Sequence, residues 1–351
     1  MTMNVLGYAA HSAQDALAPY RFERREPRPD DVVLEILYCG VCHSDLHQVR
    51  NDWGGSTYPI VPGHEIIGRV LMVGPEVTRF REGDHAGVGC MVDSCRHCAP
   101  CEAGLEQYCH EGATFTYNAV DRHDHTPTFG GYSEKIVVPE SFVLKVPDGV
   151  DLKGVAPLLC AGITTWSPLR HWKIGKGSKV AVIGLGGLGH MALKLAKALG
   201  AEVTLFTRSE NKREDGGRLG ADTIVLSTNK RQMAAVKGCF ELIIDTVPSV
   251  HDLNPYIPAL SLDGTLVLVG YLGDLNPMLN TVPLIMGRKS VAGSVIGGIA
   301  ETQELLDFCG RHAITSDIEV IRIQDINKAY ERMLKSDVKY RFVIDMASLK
   351  A

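Results

Sequence analysis

No stretch of this 351-residue chain reaches the roughly 20 consecutive apolar residues that a membrane-crossing helix needs. The first segment, Met1 to Tyr20, lacks the basic stretch and apolar core of an export signal, which points to a cytoplasmic protein. Positive charge is not in excess. The net charge is −5, so neither nucleic acid nor a membrane surface is an expected partner. Internal repeats and low-complexity tracts are absent too. What the chain does have is cysteine, ten in all. Without an export signal, these read as thiols and metal ligands rather than disulfides.

The length suggests two domains, and 45% hydrophobic residues suffice for packed cores. The first 150 residues are broken by Gly, Pro and polar clusters between apolar runs such as Val32–Leu37, Ile66–Val73 and Ser133–Val138. That texture predicts β-rich structure with long loops. From about residue 152 strands and helices alternate. Ser178–Ile183, Glu202–Phe206, Thr223–Leu226, Glu241–Asp245 and Thr265–Val269 read as strands. Met191–Leu199 reads as a helix with Met191, Leu195, Ala198 and Leu199 on one face, and a polar helix ends at Leu219. This alternation predicts an α/β, doubly wound parallel sheet. After residue 298 one amphipathic helix, marked by Ile326, Ala329, Tyr330, Met333 and Leu334, precedes one more strand, Arg341–Asp345. That tail is too small to stand alone and is expected to pack onto the N-terminal domain. The expected division is 1–152 with 298–351, and 153–297.

Four of the cysteines, Cys95, Cys98, Cys101 and Cys109, stand in C-R-H-C-A-P-C-E-A-G-L-E-Q-Y-C. Gaps of two, two and seven residues let one loop fold four thiolates around a tetrahedral zinc. A closed four-sulfur site leaves no position for substrate, so this zinc would be structural. Further on, the Ser178–Ile183 run enters G-L-G-G-L-G, Gly184, Leu185, Gly186, Gly187, Leu188 and Gly189. Following a strand and opening a helix, this is a dinucleotide fingerprint that puts phosphates on helix-start amides. An NAD site places Asp or Glu at the end of the next strand to grip the ribose 2′-hydroxyl. Here stand Thr207, Arg208 and Ser209, with Lys212 following, a set that suits a 2′-phosphate and NADP(H). The plainer alternative is that Arg208 and Lys212 are solvated cations at a helix start. An open zinc site needs about three protein ligands. Cys42, His64 and Cys160, with Glu65 nearby, supply suitable atoms, but spacing alone does not single them out among ten cysteines and thirteen histidines.

Several motifs in order resemble one family: C-G-V-C-H-S-D-L-H-Q, Tyr58–Glu65, the four-cysteine loop, P-L-L-C-A-G-I-T-T, the glycine loop, D-T-V-P and Y-R-F-V-I-D. The chain is similar to the zinc-dependent medium-chain alcohol dehydrogenases, in particular the cinnamyl alcohol dehydrogenase branch and its bacterial relatives. The resemblance covers nearly the whole sequence. It implies a GroES-like β-rich catalytic domain beside a Rossmann nucleotide-binding domain. It implies two zincs per chain: a catalytic one on Cys42, His64 and Cys160 with Glu65 adjacent, and the structural one. Ser44 and His47 match the proton relay, and Asp45 the carboxylate that orients a ligand imidazole. Thr164 matches a residue against the nicotinamide, and Val247, Val269, Gly270, Ser294 and Ile296 are further expected cofactor contacts.

The resemblance also implies a homodimer, with strand-like Ser290–Ile296 as the pairing edge. Asp45 could in addition cap a helix. Cys39, Cys90, Cys239 and Cys309 read as buried thiols, and His123 and His125 as exposed loop residues. Trp53 and either Thr114 or Phe115 are the expected substrate-pocket wall. The expected activity interconverts primary alcohols and aldehydes, favouring aldehyde reduction. Competing readings are a C=C or imine reductase on the same scaffold, and a non-catalytic zinc- and nucleotide-binding sensor. Retention of the relay residues counts against both.

Overall fold

A computed structural model describes residues 2–270 and 273–350. The chain forms two compact units, Met1–Cys160 with Gly297–Ala351, and Ala161–Ile296. Residues 153–160 therefore group with the first unit. Leu158 and Leu159 are fully buried there, and Leu159 packs against Gly87 and Gly89.

The first unit is built on a seven-stranded mixed sheet. Its order is Ile318–Arg322, Arg341–Asp345, Asp31–Val41, Ile66–Val73, His85–Val88 and Leu144–Lys145, with Lys135–Pro139 also paired to Asp31–Val41. The long central strand carries Val32, Val33, Leu34, Ile36, Cys39 and Val41 into the core. Side chains buried to this degree each contribute about 1.5–3 kcal/mol. Register places its end where the chemistry gathers. Val41 pairs with Phe342, and Cys39 with Ile66. The ends of three strands thus deliver Cys42, the His64-Glu65 pair and Arg341 to one place.

The tail differs from expectation in holding two strands. Ile318–Arg322 pairs in parallel with Arg341–Asp345 at the sheet edge. Its residues are only partly buried, so its apolar alternation is weak in the sequence.

The second unit is a six-stranded, all-parallel sheet in the order Thr223–Leu226, Glu202–Thr207, Lys179–Ile183, Phe240–Asp245, Leu260–Leu268 and Ser290–Gly293. The order reverses direction at Lys179–Ile183, the signature of a doubly wound fold. Helix Gly187–Ala198 buries Met191 and Leu195, while Ala198 and Leu199 are half-buried. On one face Phe206 meets Phe240 and Tyr256 edge-on, with centroids 5.5 and 5.3 Å away. No helix among the described residues is long and apolar enough to cross a membrane.

Candidate active site

Ligand atoms of Cys42, His64, Glu65 and Cys160 lie within 4.8 Å of one another, and all four residues are buried. Cys42 Sγ and Cys160 Sγ are 3.9 Å apart. Two zinc–sulfur bonds of about 2.3 Å at a tetrahedral centre place sulfurs about 3.8 Å apart, so the spacing fits. The hydrogen-bond contact with Cys160, with Arg341 and His64 nearby, outweighs burial and holds Cys42 well below the usual thiol range. The same contact, with Cys90 and burial adding to it, holds Cys160 well above that range.

His64 Nδ1 donates to Asp45 Oδ1 at 2.9 Å, which leaves Nε2 for a metal. Burial opposes charge on the imidazole, but Asp45 outweighs it and raises His64 well above its ordinary range. Asp45 is not the helix cap. Helix His43–Val49 starts after Cys42, and Asp45, at its third position, accepts the Cys42 N–H at 2.9 Å. One carboxylate therefore both closes the helix start and orients the imidazole.

Glu65 shows how the acidic neighbour is restrained. Arg341 Nη2 donates to its Oε1 and also to Val41 O, the latter at 2.9 Å. Burial nevertheless pushes the Glu65 carboxyl up to about 7. Its Oε2 is buried with no hydrogen-bond partner. An orphaned carboxylate oxygen among two sulfurs and an imidazole is a donor set that suits zinc with one exchangeable position. Arg341 was not singled out in the sequence, although it stands in the Y-R-F-V-I-D motif.

Ser44 Oγ lies 3.6 Å from Cys42 Sγ. Three residues on, along the same helix face, His47 Nδ1 is 2.8 Å from Asp52 Oδ2. The Trp53 ring lies 5.2 Å from the His47 ring at an interplanar angle of 31°. Sequence reading missed Asp52. The segment Asn51-Asp52-Trp53 closes back on the helix, with Asp52 N donating to His47 O at 2.9 Å.

Cys95, Cys98, Cys101 and Cys109 form a second set within 4.8 Å. Sulfur separations are 3.8 Å for Cys95–Cys101 and 3.5 Å for Cys98–Cys101. Backbone amides point at the sulfurs: Cys95 N to Cys109, Cys98 N to Cys95 and His110 N to Cys98, at 3.4, 3.3 and 3.4 Å. The His110 amide leads in drawing the Cys98 thiol down to about 6, while burial pushes Cys101 up to about 12. Amides aimed at sulfur favour thiolates, as a four-sulfur zinc requires.

In the second unit, the expected cofactor residues other than Thr164 lie at or just past the carboxyl ends of the strands. Gly184 follows Lys179–Ile183 with φ +90°, and an added Cβ would strike Val247 at 2.9 Å. A Cβ on Gly189 would meet Gly184 O at 2.2 Å, so the helix lies as close to the strand as glycine permits. At Gly186, the helix N-cap, a Cβ would meet nothing within 4 Å, which leaves the phosphate approach open. Leu185, Gly187 and Leu188 complete the turn. Thr207 ends Glu202–Thr207, and its Oγ1 accepts the Ser209 N–H at 3.2 Å. Arg208 is exposed and Lys212 partly so. Val247, Val269 with Gly270, and Ser294 follow strands Phe240–Asp245, Leu260–Leu268 and Ser290–Gly293, and Ile296 adopts a positive φ of 37°. Thr164 is buried in helix Ala161–His171.

Of the remaining expectations, Cys39 and Cys309 are buried, but Cys90 and Cys239 are partly exposed. Cys90 stands just past strand His85–Val88, and Cys239 in the turn before Phe240–Asp245, where neither is sealed in a core. Thr114 is buried whereas Phe115 is 47% exposed, so Phe115 is the side chain of that pair turned outward. Trp53 is also exposed. Tyr117, unremarked in the sequence, stacks on His64 with centroids 5.8 Å apart.

Comparison with known proteins agrees with this geometry. Residues 28–148 match the family described as alcohol dehydrogenase GroES-like domain, and residues 187–311 that described as zinc-binding dehydrogenase. Aldehyde reductase YahK of Escherichia coli is 54% identical over 99% of both chains. A cinnamyl alcohol dehydrogenase of Sorghum bicolor superposes with a TM-score of 0.94 at 45% identity over 98% of both chains. One from Helicobacter pylori, complexed with NADP(H), does so with 0.92 at 43% identity over 99% of both chains. With its two-part match, near-complete coverage and two clustered donor sets, the chain belongs to the zinc-dependent medium-chain alcohol dehydrogenases, in their cinnamyl alcohol dehydrogenase branch.

Proposed function

We propose that the chain interconverts primary alcohols and aldehydes with NADP(H), favouring aldehyde reduction. The observation that carries this reading is the buried Cys42–His64–Glu65–Cys160 donor set with the Ser44 hydroxyl beside it. Cys42, His64 and Cys160 hold a zinc, with Glu65 the adjacent acidic group. A zinc there supplies Lewis acidity toward a substrate oxygen. A bound nicotinamide supplies or accepts the hydride.

The chain's own residues manage the proton. Ser44 takes it from an alcohol and returns it to the product of aldehyde reduction. His47 continues the path to solvent, and the Asp52 carboxylate fixes its Nδ1–H so that Nε2 accepts. Asp45 holds the His64 imidazole in the tautomer a metal needs. Cys95, Cys98, Cys101 and Cys109 hold a second, structural zinc.

The unit Ala161–Ile296 is the dinucleotide domain, and the remainder the catalytic one. Gly184–Gly189 cradles the pyrophosphate. Thr164, Val247, Val269, Gly270, Ser294 and Ile296 line the rest of the cofactor. Arg208, Ser209 and Lys212 take the 2′-phosphate where Thr207 replaces the NAD-type carboxylate. The NADP(H) bound to the Helicobacter pylori relative supports this choice. Trp53 and Phe115 offer an aromatic wall that suits aromatic and apolar aldehydes.

The chain works as a homodimer through edge strand Ser290–Gly293 and the exposed apolar side chains that precede it in the chain, of which Met278, Ile285 and Met286 are 88%, 76% and 80% exposed. A reducing cytoplasm suits a chain of ten cysteines, six of them in the two donor sets.

The test is initial-rate kinetics with a panel of aliphatic and aromatic aldehydes and both reduced cofactors. Turnover with NADPH above NADH, and a swing toward NADH in Arg208→Asp, is expected. No turnover of any aldehyde, or reduction at C=C instead of C=O, would overturn the reading.

A further inference from the structure

The Asp45 carboxylate is fully buried and receives donors on both oxygens. Oδ1 accepts from His64 Nδ1 at 2.9 Å and Gly63 N at 3.1 Å. Oδ2 accepts from Cys42 N at 2.9 Å and from the Tyr132 hydroxyl at 3.2 Å. Three of these donors belong to the segments that carry the metal-binding side chains. Tyr132 comes from 87 residues further along the chain and has no place in the reaction described above.

Its backbone is fastened to the same turn. Gly130 N donates to Val61 O at 2.7 Å, Gly131 N to Gly63 O at 2.8 Å and Tyr132 N to Pro62 O at 3.0 Å. The approach is as close as atoms allow. A Cβ on Gly130 would meet Gly63 O at 2.4 Å, and one on Gly63 would meet the Tyr132 ring at 2.6 Å. The segment 130–132 therefore holds the Pro62-Gly63-His64 turn by its backbone and the Asp45 carboxylate by its hydroxyl. Burial and the Asp45 charge keep the Tyr132 hydroxyl protonated, so it remains a donor.

We propose that Tyr132 is a positioning residue: by fixing Asp45 it sets the orientation of the His64 imidazole toward the catalytic metal. The proposal rests on the zinc reading above. Removing this buried hydrogen bond to a charged group leaves Oδ2 with the Cys42 amide alone, which loosens the hold on the carboxylate and on the imidazole it orients.

The test uses full-length zinc-loaded protein and a chromophoric chelator. Two release phases in the wild type, one per site, establish the zinc reading independently; a single phase would remove that reading and this proposal with it. Tyr132→Phe is expected to speed release from the catalytic site about tenfold, the lower end of what loss of a ligand's hydrogen-bond partner costs. The structural site should release at its wild-type rate. The visible spectrum of the cobalt-substituted protein should shift in the same variant. In an Asp45→Asn background, Tyr132→Phe should add nothing further. An unchanged catalytic-site phase, equal effects in both backgrounds, or failure of Tyr132→Phe to fold would each overturn the proposal, the last by assigning the hydroxyl to the fold.

Discussion

At the residue scale, the site depends on groups that are far apart in sequence and forced together. Glu65 and Arg341 lie 276 positions apart yet share a buried ion pair. Gly40 leaves the room for it: a Cβ there would sit 1.9 Å from Glu65 Oε2. Gly40→Ala must push a buried, paired carboxylate aside, so a loss of about 1–3 kcal/mol in unfolding free energy is expected, read by denaturant titration. Stability equal to wild type would mean that Glu65 has somewhere else to go. The two clusters of candidate metal-binding side chains were legible in the sequence because cysteine and histidine are chemically distinctive and stand in ordered motifs. Asp52, Tyr117, Tyr132 and Arg341 were not. Each acts by contacting another side chain: Asp52 reaches His47 through the turn that follows the helix, and Tyr117, Tyr132 and Arg341 reach partners tens to hundreds of residues away, which leaves no local pattern to read.

At the scale of elements, strand order explains why the site lies where it does, and the loop 113–128 shows what pattern reading could not supply. That loop is tied down by charge. Asp121 meets Arg28 at 2.7 Å and Arg25 at 3.3 Å, and Asp124 meets Arg28 at 2.9 Å. Burial alone would raise the Asp121 carboxyl, but hydrogen bonds from Arg28 and from the His123 and Asp124 amides outweigh it and hold it down to about 2. A folded pKa below the unfolded value of 3.8 contributes stability that is full above that value and fades as pH falls through about 2. Wild type should therefore melt above Asp121→Asn near neutral pH, and the gap should close as the solution is acidified through that window. A gap that is constant with pH would show that the loop is held without this charge. The alternating strands and helices of the second unit were read closely from periodicity. The edge strand Ile318–Arg322 was missed because half-exposed edge residues do not alternate cleanly.

At the scale of the whole molecule, two properties can be tested. One is assembly. An exposed sheet edge beside Val282, Ile285 and Met286 is a surface that a second copy would cover. Light scattering should give twice the 38.2 kDa chain mass, falling to one chain in Ile285→Glu. A wild-type mass of one chain would contradict the pairing. The other, central one is that chemistry belongs to one metal and architecture to the other. The most direct test measures zinc content, NADPH binding and aldehyde turnover together in wild type and Cys160→Ala. The predicted result is two zincs in the wild type and one in the variant, with turnover abolished and NADPH binding retained. A variant that keeps both zincs and its turnover, or a wild type that turns over aldehyde with only one zinc, would contradict it.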